Sequence, residues 1–148
     1  MKTVPPLSIK DPDWLKLRAA LWPDAAADEH LEEMASLLAE PEKFIQLIAR
    51  DAESQALGFI EASIRNDYVN GTDTSPVAFL EGIFVKPNAR RSGVATALVY
   101  AVKAWAKSKG CAEFASDAPI SNRTSHAVHR HLGFTETERV VYFNMPLK

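Results

Sequence analysis

Residues 82–99 read GIFVKPNARRSGVATALV, and this stretch decides the fold because it begins as a strand and ends as a helix. Gly82–Val85 continue an apolar run, Pro87 breaks it, and from Gly93 onward Val94, Leu98, Ala101, Val102 and Trp105 recur on one helical face until Gly110. At the junction, Arg90, Arg91, Ser92, Gly93, Val94, Ala95 and Thr96 present successive backbone N–H groups at a helix N-terminus. Unpaired donors and the helix dipole together favour phosphate oxygens there. Gly93 and Ala95 are small enough to let a phosphate approach the backbone. The run is neither a Walker loop, since it lacks the Gly-Lys-Thr ending, nor the three-glycine dinucleotide fingerprint.

Upstream, PVAFLEGIFVK at 76–86 is apolar on both faces, as expected of a central strand covered by helices on both sides. FIQLIAR and LGFIEASIR before it predict an antiparallel pair, the second half-buried because Ile60, Ala62 and Ile64 alternate with Glu61, Ser63 and Arg65. Nearer the start, Asp11 and Pro12 open a helix carrying Trp14, Leu17 and Leu21. Asp28 is the expected cap of a second helix with Leu31, Met34, Leu37 and Leu38 on its apolar face. Downstream, CAEFASD at 111–117 predicts a strand. A helix follows from Ser121 or Asn122, with Ser125, Val128 and Leu132 facing inward and Gly133 at its end, and RVVYFNM is expected to close the chain as a strand.

The chain has 148 residues, 47% of them apolar, and shows no repeats or linkers, so one domain over 1–148 is expected. Its net charge of -2 offers no basic field for nucleic acid. No apolar run approaches a membrane span or a signal peptide, which makes a cytoplasmic setting the expectation and membrane association an unlooked-for one. Cys111 is the lone cysteine and reads as packing. His126, His129 and His131 lack the spacing of a zinc-protease pair, so no metal is expected.

The junction resembles the acyl-CoA pyrophosphate loop of the GNAT (GCN5-related) N-acetyltransferase superfamily, Gln/Arg-x-x-Gly-x-Gly/Ala, through Arg90, Gly93 and Ala95. NRTSHAVHRHLGF at 122–134 is similar to the superfamily's later motif, in which an asparagine opens the helix beside the CoA arm. His129 stands where that motif often carries a tyrosine, the general acid for the departing thiolate. LWP at 21–23, RNDYVNG at 65–71, SPVAFLEGIFV at 75–85, ASD at 115–117 and GFTETERVVYF at 133–143 resemble the aminoglycoside 6'-N-acetyltransferases. The resemblance implies an α/β fold with a mixed, mostly antiparallel sheet flanked by helices. It also implies acetyl-CoA as co-substrate, a polycationic aminoglycoside as acceptor and, as is frequent in the family, a homodimer, for which VVYF is a candidate pairing strand.

An amine acceptor must lose a proton before it can attack a thioester, so a base is required. Glu81 interrupts an apolar strand, where a carboxylate is costly unless paired or used; receiving the proton, positioning the ammonium, and a structural salt bridge all remain open for it. A backbone N–H of Ile83, Phe84 or Val85 is expected to face the thioester oxygen, and Gly82 offers a place for a bulge that aims it. Glu81 and Asp117 are the catalytic candidates. The resemblance implies that Trp22, Tyr68, Glu81, Asp117 and Glu138 contact the aminoglycoside, and that residues 83–85 and 90–96, with Asn122 and His129, hold acetyl-CoA. An acidic cleft selects cations in general, so acetylation of a polyamine or protein amine, and a non-catalytic acetyl-CoA-binding module, are the alternatives.

Overall fold

A computed structural model describes residues 1–148. The elements run β1 (Lys2–Val4), α1 (Pro12–Leu21), α2 (Ala27–Leu38), β2 (Phe44–Arg50), β3 (Ala56–Arg65), β4 (Val77–Val85), a short 3-10 turn, α3 (Val94–Ser108), β5 (Phe114–Ala115) and α4 (Arg123–His131). The five strands form one sheet in chain order. Its first three pairings are antiparallel and β4–β5 is parallel, giving the expected mixed, mostly antiparallel sheet. No helix is long and apolar enough to cross a membrane.

Strand alternation divides the core between the two faces. Leu47, Ala49, Ile60, Ala62 and Leu80 point to one side and pack on Val94, Leu98, Val99 and Val102 of α3. Ile48, Ala56 and Phe59 point to the other and pack on Trp14 and Leu17 of α1 and Met34 of α2. Several local signals hold. The Asp11 side chain accepts from the Asp13 N–H to cap α1, with Pro12 at its first position. Gly93 and Gly110, both at φ 83°, bracket α3 in left-handed conformations.

Other expectations need correction. Asp28 lies within the first turn of α2, and the capping position is Ala26, which makes no side-chain cap bond. The middle strand is β3, not β4. β3 is buried on both faces, because α1 and α2 cover the side on which Glu61 and Ser63 project. A three-residue β1 precedes α1 and pairs with β2, an element too short to leave a periodic pattern. β5 spans two residues rather than seven. Val128 on α4 is exposed; Ser125, His126 and His129 are that helix's partly covered side chains, with Leu132 at its C-cap also partly covered. Residues 139–145 do not form a strand; Phe143 is 92% exposed, and no strand edge lies alongside to accept its hydrogen bonds.

Candidate active site

β4 is paired on both edges only at its start. Ala78 and Phe79 meet Phe114 and Ala115 of β5, and beyond them Leu80–Val85 have no partner on that side. The sheet therefore splits, leaving backbone groups of β4 facing an open cleft.

Opposite the split, the β3–β4 register slips. Gly82 pairs with Glu61 and Leu80 with Ala62, so Glu81 is the extra residue of a bulge immediately beside the expected Gly82. The slip turns two successive residues to the α1 side. The Glu81 carboxylate accepts from Ser63 Oγ at 2.7 Å and from the Arg65 guanidinium at 2.8 Å. Gly82 lies under the Trp22 indole, where an added Cβ would stand 2.5 Å from a ring carbon. Trp22 follows α1, with its N–H on the Arg18 carbonyl and its ring edge-on to Phe59. The structure thus brings Glu81 and Trp22 together across Gly82.

Glu81 is partly exposed and paired, so it is not the buried carboxylate that its strand implied. That group is Glu61, 4% exposed, which accepts from Trp14 Nε1 at 2.8 Å and from both sides of its carboxylate binds Arg18, itself 1% exposed. Burial pushes the Glu61 carboxyl above the ordinary carboxylate range, against the pull of Arg18. Sequence reasoning missed this pair. Its trace was Arg18 itself, which shares the helical stripe of Trp14, Leu17 and Leu21 and so occupies a core position.

Tyr68 is 75% exposed on the loop after β3, beside a cleft of about 280 Å³ that Lys43, Arg65 and Asp67 also line. The same loop rests on the chain after α4: a Cβ on Gly71 would meet Thr137 and come within 3.8 Å of the Glu138 Cβ. Asp117 is exposed two residues beyond the end of β5.

At the α3 end, Gly93 makes no side-chain cap bond, and a Cβ there would meet nothing within 4 Å. No capping side chain at Gly93 competes with a phosphate for the first-turn N–H groups, and the space beside Gly93 is open. Arg91 is exposed at φ 62°. Arg90 instead folds back, donating Nε to the Val85 carbonyl at 2.9 Å, so it ties the turn to β4. Asn122 caps α4 through Ser125 N–H at 3.1 Å. The His129 ring lies between elements: Nδ1 meets the Ser125 carbonyl at 2.7 Å and Nε2 the Ser116 hydroxyl at 2.7 Å. A carbonyl only accepts, so Nδ1 carries a proton and, in the neutral ring, Nε2 accepts from Ser116.

The chain matches the model of the acetyltransferase (GNAT) family over residues 11–134. It is 61% identical over 131 residues to an aminoglycoside N(6')-acetyltransferase type 1 of Acinetobacter genomosp. 13, covering 88% of both chains. The crystal structure of the aminoglycoside antibiotic 6'-N-acetyltransferase AAC(6')-Ih from Acinetobacter baumannii superposes with a TM-score of 0.93 at 54% identity, covering 99% of each chain. That of AAC(6')-Iy in complex with the bisubstrate analogue CoA-S-monomethyl-acetylneamine superposes with a TM-score of 0.84 at 48% identity, covering 90% of each.

Proposed function

The chain belongs to the acetyltransferase (GNAT) family, and on that footing we propose that it transfers an acetyl group from acetyl-CoA to the 6'-amine of aminoglycoside antibiotics, conferring resistance to them. The observation that carries the reading is the split beside β4. Its open edge at Leu80–Val85 runs between the uncapped α3 N-terminus and the bulge that presents Glu81.

In this reading the N–H groups of residues 91–96 hold the pyrophosphate, and a backbone N–H of Ile83, Phe84 or Val85 meets the thioester oxygen as negative charge develops on it. Arg90 holds the turn against β4 through Val85. Asn122 shapes the start of α4 beside the CoA arm, and His129, held by Ser125 and Ser116, borders the same arm. Trp22, Tyr68, Asp117 and Glu138 wall the acceptor site, their carboxylates attracting its ammonium groups.

Glu81, with Asp117 as the second carboxylate, takes a proton from the 6'-ammonium directly or through water. The freed nitrogen attacks the acetyl carbonyl, the C–N bond forms, and the C–S bond breaks as the intermediate collapses. The nitrogen's remaining surplus proton leaves and the thiolate is protonated, giving amide and thiol. Direct attack within the ternary complex needs no acyl-enzyme, and Cys111 is buried away from solvent.

The same reading takes residues 1–148 as one acetyltransferase domain working in the cytoplasm as a homodimer, with the exposed apolar segment Val140–Phe143 as a contact surface. The test is acetyl-CoA turnover with neamine, with its 6'-hydroxyl counterpart and with spermidine, the product located by NMR. Acetyl on the 6'-nitrogen of neamine, with little turnover of the other two, is expected. Acetyl on another nitrogen, or faster turnover of spermidine, overturns the acceptor assignment.

A further inference from the structure

The deepest charged cluster in the molecule lies directly beneath Trp22. Arg18 spends every guanidinium donor group there: NH1 on Glu61, NH2 on Glu33 at 2.8 Å, and Nε on His30 Nδ1 at 3.2 Å. Because Nε–H only donates, His30 Nδ1 must bear the lone pair. The ring proton of neutral His30 is then on Nε2, whose partner is the Trp22 carbonyl at 3.2 Å. The guanidinium also stacks 4.8 Å from the Trp22 ring centre.

The cluster thus grips Trp22 twice, by its backbone oxygen and by its ring, while Gly82 and Phe59 bound the indole elsewhere. Replacing a buried ion pair with well-packed apolar groups is often neutral or stabilising. Fold stability alone therefore gives this cluster little reason to be polar, whereas a requirement for one tryptophan position does.

We propose that Arg18, Glu61 and His30 are positioning residues for acceptor recognition, fixing the Trp22 indole over the Glu81 bulge so that it forms a rigid wall of the aminoglycoside site. The proposal rests on the reading of Trp22 as an acceptor contact. None of the three touches the reacting atoms. Their effect is on the acceptor side, since the α3 N-terminus lies on the opposite face of the sheet.

The test compares His30→Leu, which removes the bond to the Trp22 carbonyl, with His30→Gln, which restores an amide N–H. In His30→Leu the KM for neamine should rise about tenfold with the KM for acetyl-CoA unchanged, and His30→Gln should recover most of the difference. Equal neamine KM in all three proteins overturns the proposal, as does an equal change in both substrates' KM.

A second measurement does not depend on the acceptor assignment. With 5-fluorotryptophan incorporated, the Trp22 fluorine resonance of the free protein, assigned with Trp22→Phe, should shift or broaden in His30→Leu and return in His30→Gln. An unmoved resonance overturns the positioning role. A shifted resonance with no neamine turnover by the parent overturns only the acceptor reading.

Discussion

Glu61 and Glu81 stand one residue apart in register on neighbouring strands, on the same side of the sheet, and each has an arginine. They nevertheless live under different physics. Glu61 is sealed beneath α1 and α2 with Arg18 and Trp14, where losing one partner strands a charge in low dielectric. Glu81 is lifted by the bulge to the mouth of the cleft, where its pair with Arg65 is about two-fifths exposed and water screens it. A carboxylate of the first kind fixes geometry; one of the second can exchange a proton with an incoming ammonium.

The largest effect should come from breaking the buried member. Glu61→Ala leaves Arg18 without its principal partner and should cost about 3–5 kcal/mol, read from chemical denaturation. Glu81→Gln, by contrast, should leave the denaturation midpoint nearly in place and lower kcat about 10²-fold or more, since it removes a proton acceptor while keeping size. Equal stability losses in the two variants would erase the distinction. Gly82→Ala probes the contact between the two environments: its Cβ meets the Trp22 ring and, at 3.0 Å, Leu21, so the variant should lose roughly 1–3 kcal/mol and bind neamine more weakly. The smallest effect belongs to Arg65→Met, where loss of an exposed pair should cost no more than about 1 kcal/mol by thermal melting.

Elements announced by their own residues were legible in the sequence. Asp11–Pro12 opens α1 by capping, and Gly93 and Gly110 bracket α3 in left-handed geometry, all of them local effects. What depended on distant partners was not. Alternation along β3 assigned Glu61 to solvent because nothing local reveals that α1, 43 positions earlier, lays an arginine over it. The β-branched and aromatic run of RVVYF points to a strand, but strand propensity needs a neighbouring edge, and the short β5 offers none to it here. At the candidate site, Glu81 and Gly82 were identified as the interruption of β4, and the bulge is there. That Ser63 and Arg65 hold the Glu81 carboxylate followed only from the register across the sheet.

We propose that Glu81, not Glu61, handles the acceptor's proton. The pH dependence of kcat/KM for neamine in the parent and in Glu81→Gln tests it most directly. The claim predicts an acidic limb in the parent that disappears in Glu81→Gln, leaving a low rate that no longer falls at acid pH for want of this base. An acidic limb of undiminished slope in Glu81→Gln would contradict it and pass the proton to another group.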